Sequence, residues 1–192
     1  SLGYGLHGQM QPLGVYFIEG ENGALPNRNL GFTRAHHLVL SYDRSLPGNW
    51  HIKPELYYQS LFDVPVSRDT SDSFSMLNVF EGFPGEIVAN RGSGRNYGVE
   101  LTAEKFLTNG FYFLLSGSLF QSEYRGSDAV WRKSRFNTNF VSSLVSGKEW
   151  TRERNGKNRS FGINLKLTWM GGYRESPIDL VASAEQGKTV RD

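Results

Sequence analysis

The sequence predicts an all-β protein, an antiparallel up-and-down meander that forms a segment of a transmembrane β-barrel. Three observations carry this. Apolar and polar residues alternate with the strand period of two, over runs about twice the ~5–6 residues of a usual soluble strand. Short turns rich in Asn and Gly alternate with long polar loops. Aromatic residues gather at both ends of the runs.

The plainest run spans residues 96–124, where Thr108-Asn109-Gly110 separates two arms; Asn-Gly is the strongest short-range hairpin signal. In the first arm Tyr97, Val99, Leu101, Ala103 and Leu107 share one face, opposite Gly98, Glu100, Thr102 and Glu104. Arms this long match the ~9–11 tilted residues that cross a bilayer as β-structure. Residues 1–8 read as the top of a strand, and residues 9–31 as a long loop marked by Pro12, Gly20 and Pro26. A strand over 32–46 ends at the turn Pro47-Gly48-Asn49. The next, over 50–62, sets Trp50, Ile52, Leu56, Tyr58 and Phe62 against His51, Lys53, Glu55, Tyr57 and Gln59. Pro54 has no N–H for a ladder, which predicts a bulge or a missing bond there. Residues 63–95 form a long connection with a helix-capable patch over 74–80, bounded by Gly82, Pro84 and Gly85. After the central strands 96–107 and 110–124, residues 125–136 are polar around Trp131. Strands follow over 137–150 and 159–170, the second alternating most cleanly: Phe161, Ile163, Leu165, Leu167 and Trp169 against Gly162, Asn164, Lys166 and Thr168. Residues 171–192 read as a polar tail without a helix of normal length.

Composition narrows the class. The 192 residues include 22 Gly and no Cys, and 21 Lys+Arg nearly balance 19 Asp+Glu. Interspersed, near-neutral charge gives no electrostatic footprint for nucleic acid. Without Cys there is neither a disulfide nor a thiolate metal site. No run of ~18 apolar residues predicts a membrane helix. A mean hydropathy of −0.45 is compatible with a membrane barrel, whose inward residues are polar. The chain opens at Ser1 in mid-pattern, as a piece of a longer protein would.

The connections sort by length. Every short turn falls at one end of the meander and every long loop at the other, the asymmetry of outer-membrane barrels. Trp50, Phe106, Phe111, Trp150 and Phe161 lie by the short turns; Tyr58, Phe62, Phe120, Tyr124, Trp169 and Tyr173 lie at the far ends. Two such belts resemble the interfacial girdles of membrane barrels.

Several stretches together resemble the C-terminal barrel portion of TonB-dependent outer-membrane receptors. They are Leu2-Gly3-Tyr4-Gly5-Leu6-His7, Tyr57-Tyr58-Gln59-Ser60-Leu61-Phe62-Asp63-Val64-Pro65, Gly94-Arg95-Asn96-Tyr97-Gly98-Val99-Glu100-Leu101 and Gly147-Lys148-Glu149-Trp150. Trp169-Met170-Gly171-Gly172-Tyr173-Arg174 with Pro177-Ile178-Asp179 resembles the approach to their last strands. The order and spacing of these loose motifs carry the likeness, which spans essentially the whole chain. It implies a plugged, 22-stranded barrel in the bacterial outer membrane, importing a scarce nutrient such as chelated iron, a vitamin, an oligosaccharide or a peptide. It implies as partners the membrane lipid, the nutrient, and the inner-membrane TonB system acting through a plug domain this chain lacks. No energising box and no terminal strand ending in an aromatic residue are present.

Other chemistry is sparse. Gly3, Gly5 and Gly8 formally fit G-x-G-x-x-G, but Gln-Met-Gln-Pro follows where a helix is needed. Ala182 to Thr189 fits a relaxed phosphate loop with only three residues after it. His36 and His37 would point to opposite faces of a strand and cannot share a metal. Asp63, Asp69 and Asp72 lack EF-hand order. Glu100 and Glu104 lie ~13 Å apart along one face, too far for a glycosidase pair. No G-x-S-x-G elbow is present. The sequence therefore predicts no enzyme, no cofactor and no metal. Polar and aromatic residues of the external mouth, Tyr97, Trp131, Arg132 and Arg135, are the candidates for ligand contact. The competing architecture is a soluble β-sandwich that grips a glycan with its long loops.

Overall fold

The computed structural model describes residues 1–79, 85–175, 178–187 and 190–191. The chain is nearly all-β, and the seven longer strands of its main sheet pair antiparallel in the order of the sequence. The order is β1 (Leu2–Gln9), β2 (Thr33–Ser41), β4 (Trp50–Ser67), β5 (Val88–Thr108), β6 (Phe111–Arg125), β8 (Phe140–Arg154), β9 (Lys157–Met170). Two short strands complete columns: β3 (Arg44–Leu46) beside the start of β4, and β7 (Trp131–Lys133) beside the end of β6. A single helical turn, α1 (Leu13–Tyr16), lies in the first long loop, and the tail carries a small ladder of β10 (Ile178–Asp179) and β11 (Val190–Arg191) around helix α2 (Leu180–Gln186). Among the described residues no helix is long and apolar enough to cross a membrane.

The turns explain the hairpins. Asn109 and Gly110 have φ of 51° and 72°, and Asn155 and Gly156 have 53° and 64°. Two consecutive positive φ values make the tight turn whose twist matches its flanking strands, and Asn-Gly reaches them at least cost. Gly48 and Asn49, at 79° and 61°, place the same two residue types in the first turn.

Several boundaries differ from those read in the sequence. Residues 2–9 form a complete strand, paired along its length with β2. The strand expected over 32–46 breaks at Tyr42 and Asp43 into β2 and β3. The one expected to end at Phe62 runs on to Ser67, and its partner begins at Val88 rather than 96. Pro65 and the Gly/Ser-rich stretch after Ala89 look like loop, yet Val64, Val66 and Val88 are fully buried where the loops pack, and that packing holds the extension. The expected turn over 151–158 shrinks to Asn155-Gly156. The patch over 74–80 contributes one 3-10 turn, Met76–Asn78, capped by Ser75; Phe80 lies outside the described residues, as do Gly82 and Pro84. The tail, read as polar coil, contains α2.

Pro54 causes no bulge. It stays in register opposite Leu101, and its carbonyl accepts a hydrogen bond from the Tyr42 N–H at 3.0 Å. A strand residue's N–H and C=O point to the same side, so the missing donor faces the break between β2 and β3, where no ladder partner waits. The register shifts occur higher, on either side of Val64, beside Asp63 at φ 55°.

Register fixes two faces. One row runs Leu2, Leu40, Leu56, Val99, Leu119, Phe140 across β1 to β8; a parallel row runs Ile52, Ala103, Leu115, Leu144, Leu167. The alternate rows are polar: Gly5, His37, Gln59, Asn96, Ser122, and Lys53, Thr102, Ser116, Ser143, Thr168. The side chains expected to share the apolar face do share it: Trp50, Ile52, Leu56, Leu101, Ile163, Leu165 and Leu167. The alternation ends before Leu107, where the β5–β6 register shifts past Lys105. Among the described residues nothing covers this face; Leu119 is 62% exposed and Leu165 48%.

The row through Glu55, Glu100, Ser118, Val141 and Met170 also reveals a stagger. From that row to the turn end, the strands run Glu55 to Trp50, then Glu100 to Thr108, then Val141 to Arg154, each reaching further than the last. A progressive slip in one direction is the shear that a closed barrel of tilted strands requires.

The buried residues sit at the long-loop end. Asn27, fully buried, donates to the Glu86 carbonyl at 2.9 Å and accepts from the Val88 N–H at 3.0 Å. The Arg68 guanidinium donates to the Pro26 carbonyl at 2.9 Å, and Arg91 donates to the Ser67 carbonyl at 2.8 Å. Asn137 accepts from the Ser122 N–H at 2.9 Å. Buried loop backbone must find partners, and these side chains supply them.

Candidate functional site

The four candidate contact residues do not converge. Tyr97 lies on the apolar face, its ring stacked on Tyr58 with centroids 6.4 Å apart. Trp131 lies on that face too, opposite Arg125. Its ring has the Arg95 guanidinium 4.4 Å and the Arg125 guanidinium 5.4 Å from its centroid. Arg132 points to the polar side and pairs with Asp128 at 2.6 Å. Arg135 is held in the loop: its N–H donates to Asn78 Oδ1 at 2.7 Å and its guanidinium to Glu175 Oε1 at 2.5 Å.

The polar face instead carries a hollow of about 540 Å³ whose lining includes His37, Tyr57, Gln59, Asn96, Phe120 and Ser122. Asn96 Nδ2 donates to Gln59 Oε1 at 2.8 Å across β4 and β5. Glu55 and Glu100 stand directly opposite each other at its margin. Amides, a hydroxyl and aromatic rings around an open hollow can orient a polar ligand. The sequence shows each of these residues as a polar position in an alternating run. Only cross-strand register assembles them, and no local motif encodes it. Phe120 and Tyr124, assigned by sequence to the outer aromatic belt, belong to this face, opposite Gly98 and Gly94.

Lower on the same face His51 bridges two carboxylates. Its Nε2 lies 2.7 Å from Asp43 Oδ1, and its Nδ1 lies 2.9 Å from Glu104 Oε1, out of line for a hydrogen bond. The bridge ties the β2–β3 break to β5. It also occupies Glu104, one of the two carboxylates noted on that strand.

The remaining motifs find structural uses. His36 and His37 diverge: His36 shares a hydrogen bond with Tyr4 Oη at 2.8 Å and stacks on Phe62, while His37 meets Tyr57 edge-on. Asp69 Oδ1 accepts from the Ser71 N–H at 2.9 Å and its hydroxyl at 2.7 Å, bonds that hold the Asp69 carboxyl below its ordinary range. Asp72 accepts from the Phe74 N–H at 2.9 Å. These are Asx turns. Among the described residues no three His, Asp or Glu side chains gather as a metal site. Gly3, Gly5 and Gly8 lie within extended β1, which no dinucleotide loop could be. Ala182 to Gln186 belong to α2, so helix stands where a phosphate loop would need to be; Lys188 and Thr189 lie outside the described residues. Comparison of the chain with protein-family profiles, with curated proteins and with solved structures matched nothing.

Proposed function

We propose that this chain forms part of the wall and external loops of an outer-membrane barrel, a receptor of the TonB-dependent kind that imports a scarce nutrient. The observation that carries the reading is the single-layer sheet with one uncovered apolar face and one polar face, staggered steadily in one direction. Lipid satisfies such a face without a second protein layer, whereas a sandwich would require one. The polar face then lines the lumen, and its hollow beside Gln59, Asn96 and Tyr57 lies on the ligand's route. The packed long loops form the external mouth, and the inner-membrane TonB system drives release through a plug outside this chain.

Sidedness tests the proposal. These 192 residues contain no Cys, so a cysteine placed among them is their one thiol, and the unsubstituted protein sets the labelling background. Ser71→Cys, in a long loop, labels with a membrane-impermeant maleimide on intact cells, and Asn109→Cys, in a short turn, labels only after lysis. Labelling of the turn and protection of the loop on intact cells would overturn the orientation.

A further inference from the structure

We infer that the loop-end margin of the apolar face binds a phosphate-bearing lipid, with Arg95, Arg125 and Lys133 taking the headgroup. This rests on the reading of that face as lipid-facing.

The cations share one face just beyond a tyrosine row. Tyr4, Leu38, Tyr58 and Tyr97 stand opposite one another across β1 to β5. The next row on the same face runs Leu6, His36, Ser60, Arg95, Glu123, Lys133, and beyond it come Arg34 and the Arg125–Trp131 pair. Glu123 is the single carboxylate in these rows, against Arg34, Arg95, Arg125 and Lys133. The surplus is positive where an anionic leaflet would meet the wall.

Two of these side chains are already oriented. Glu123 Oε2 accepts from Arg95 Nε at 2.5 Å, and Ser93 Oγ accepts from Arg125 Nε at 3.1 Å. Both guanidiniums also lie against the Trp131 ring. Fixing each fork through Nε leaves its two terminal nitrogens as donors, the geometry that suits a phosphate. The opposite margin is also basic, with Arg44 opposite Ile52, Arg152 opposite Arg159 and Arg154 opposite Lys157 on this face, but its two lysines nearest the strands' middle are spoken for. There Lys105 donates to the Gly48 carbonyl at 2.5 Å and Lys148 to the Asn109 carbonyl at 2.7 Å, so both ammoniums serve the turns.

The same face offers a place for the chains. An apolar hollow of about 1030 Å³ lies on the turn side of the tyrosine row, with Leu40, Leu56, Val99, Leu101 and Leu119 in its lining. Along β5, Arg95 and Val99 are separated by ~13 Å of strand. Cation, tyrosine and apolar hollow therefore follow the order of headgroup, interface and acyl chain.

Native mass spectrometry of the detergent-solubilised protein, titrated with dioleoyl phosphatidate, tests the inference. We expect a saturable adduct that dioleoyl phosphatidylcholine and dioleoylglycerol do not reproduce. Arg95→Gln with Arg125→Gln should weaken it about tenfold or more, and the exposed Lys133→Gln severalfold. Lys53→Gln on the polar face and Lys105→Gln at the other margin should leave it unchanged. Equal adducts with all three lipids, unaltered binding by both margin variants, or displacement by millimolar inorganic phosphate would each overturn the inference. Flotation with pure phosphatidylcholine vesicles separates the two levels: a protein that does not float refutes the wall reading and this inference together. One that floats without preferring phosphatidate refutes only the lipid site.

Discussion

Adjacent residues on β9 lie on opposite faces of the sheet. Leu165 is the centre of the apolar series Phe161, Ile163, Leu165, Leu167, Trp169, while Asn164 accepts a hydrogen bond from Tyr112 Oη at 2.9 Å on the polar side. Leu165→Arg should destabilise the assembled barrel by about 2–4 kcal/mol near the bilayer midplane. Asn164→Arg should lose little beyond one hydrogen bond, about 1 kcal/mol. Reversible membrane-folding titrations check this; equal costs would contradict the assignment of faces. Another residue-scale fit is Gly147, where a Cβ would overlap both the Tyr112 ring and the Asn164 side chain. Tyr112 lies over the strand partner that lacks a side chain, a cross-strand pairing of aromatic and glycine. That fit depends on register and leaves no trace in the local sequence around Gly147.

At the scale of elements, the three short turns share one mechanism but differ in surroundings. Gly110 and Gly156 both have positive φ, yet a Cβ on Gly110 would run into the Glu149 carbonyl while Gly156 has nothing nearby. Gly156→Ala should therefore cost about 1 kcal/mol from backbone strain alone. Gly110→Ala should cost about 2–4 kcal/mol, with overpacking added. Denaturant midpoints of the two variants decide the order. The loops carry a pH dependence of definite sign. The Arg132 hydrogen bond, helped by the Val130 N–H, holds the Asp128 carboxyl below its ordinary value of 3.8. The Ser71 bonds do the same for Asp69. A carboxyl with a depressed folded-state pKa contributes stability that is complete above its unfolded pKa and lost as pH falls towards the folded value. Loop protection in hydrogen exchange should therefore fall on acidification below about pH 4, and Asp128→Asn should blunt the fall. The strands over 50–62 and 159–170 were legible because one uncovered apolar face enforces a strict period of two. The extensions through Val64 to Ser67 and Val88 to Arg95 were not. Their Pro, Gly and Ser residues read locally as coil, and burial among loops distant in sequence overrides that preference. The three glycines of β1 concealed it in the same way. How the candidate contacts divide between the faces was not legible either: Trp131 and Arg132 are neighbours in sequence and occupy opposite faces of β7.

The whole molecule is a sheet with its best-packed residues at one end rather than beneath it. Val15, Asn27, Val64, Val66, Val88 and Asn137 are buried among the loops, while the middle of every long strand keeps its apolar side open. A water-soluble domain arranges these the other way, with its core against the sheet. The account turns on what that open face meets. A fluorophore on single cysteines placed at each position from Ile163 to Trp169, in the barrel reconstituted in phosphatidylcholine vesicles, reports it position by position. Brominated acyl chains should quench positions 163, 165, 167 and 169, and a water-soluble quencher should reach 164, 166 and 168. Quenching by water at the odd positions, or no alternation at all, would contradict a lipid-facing wall.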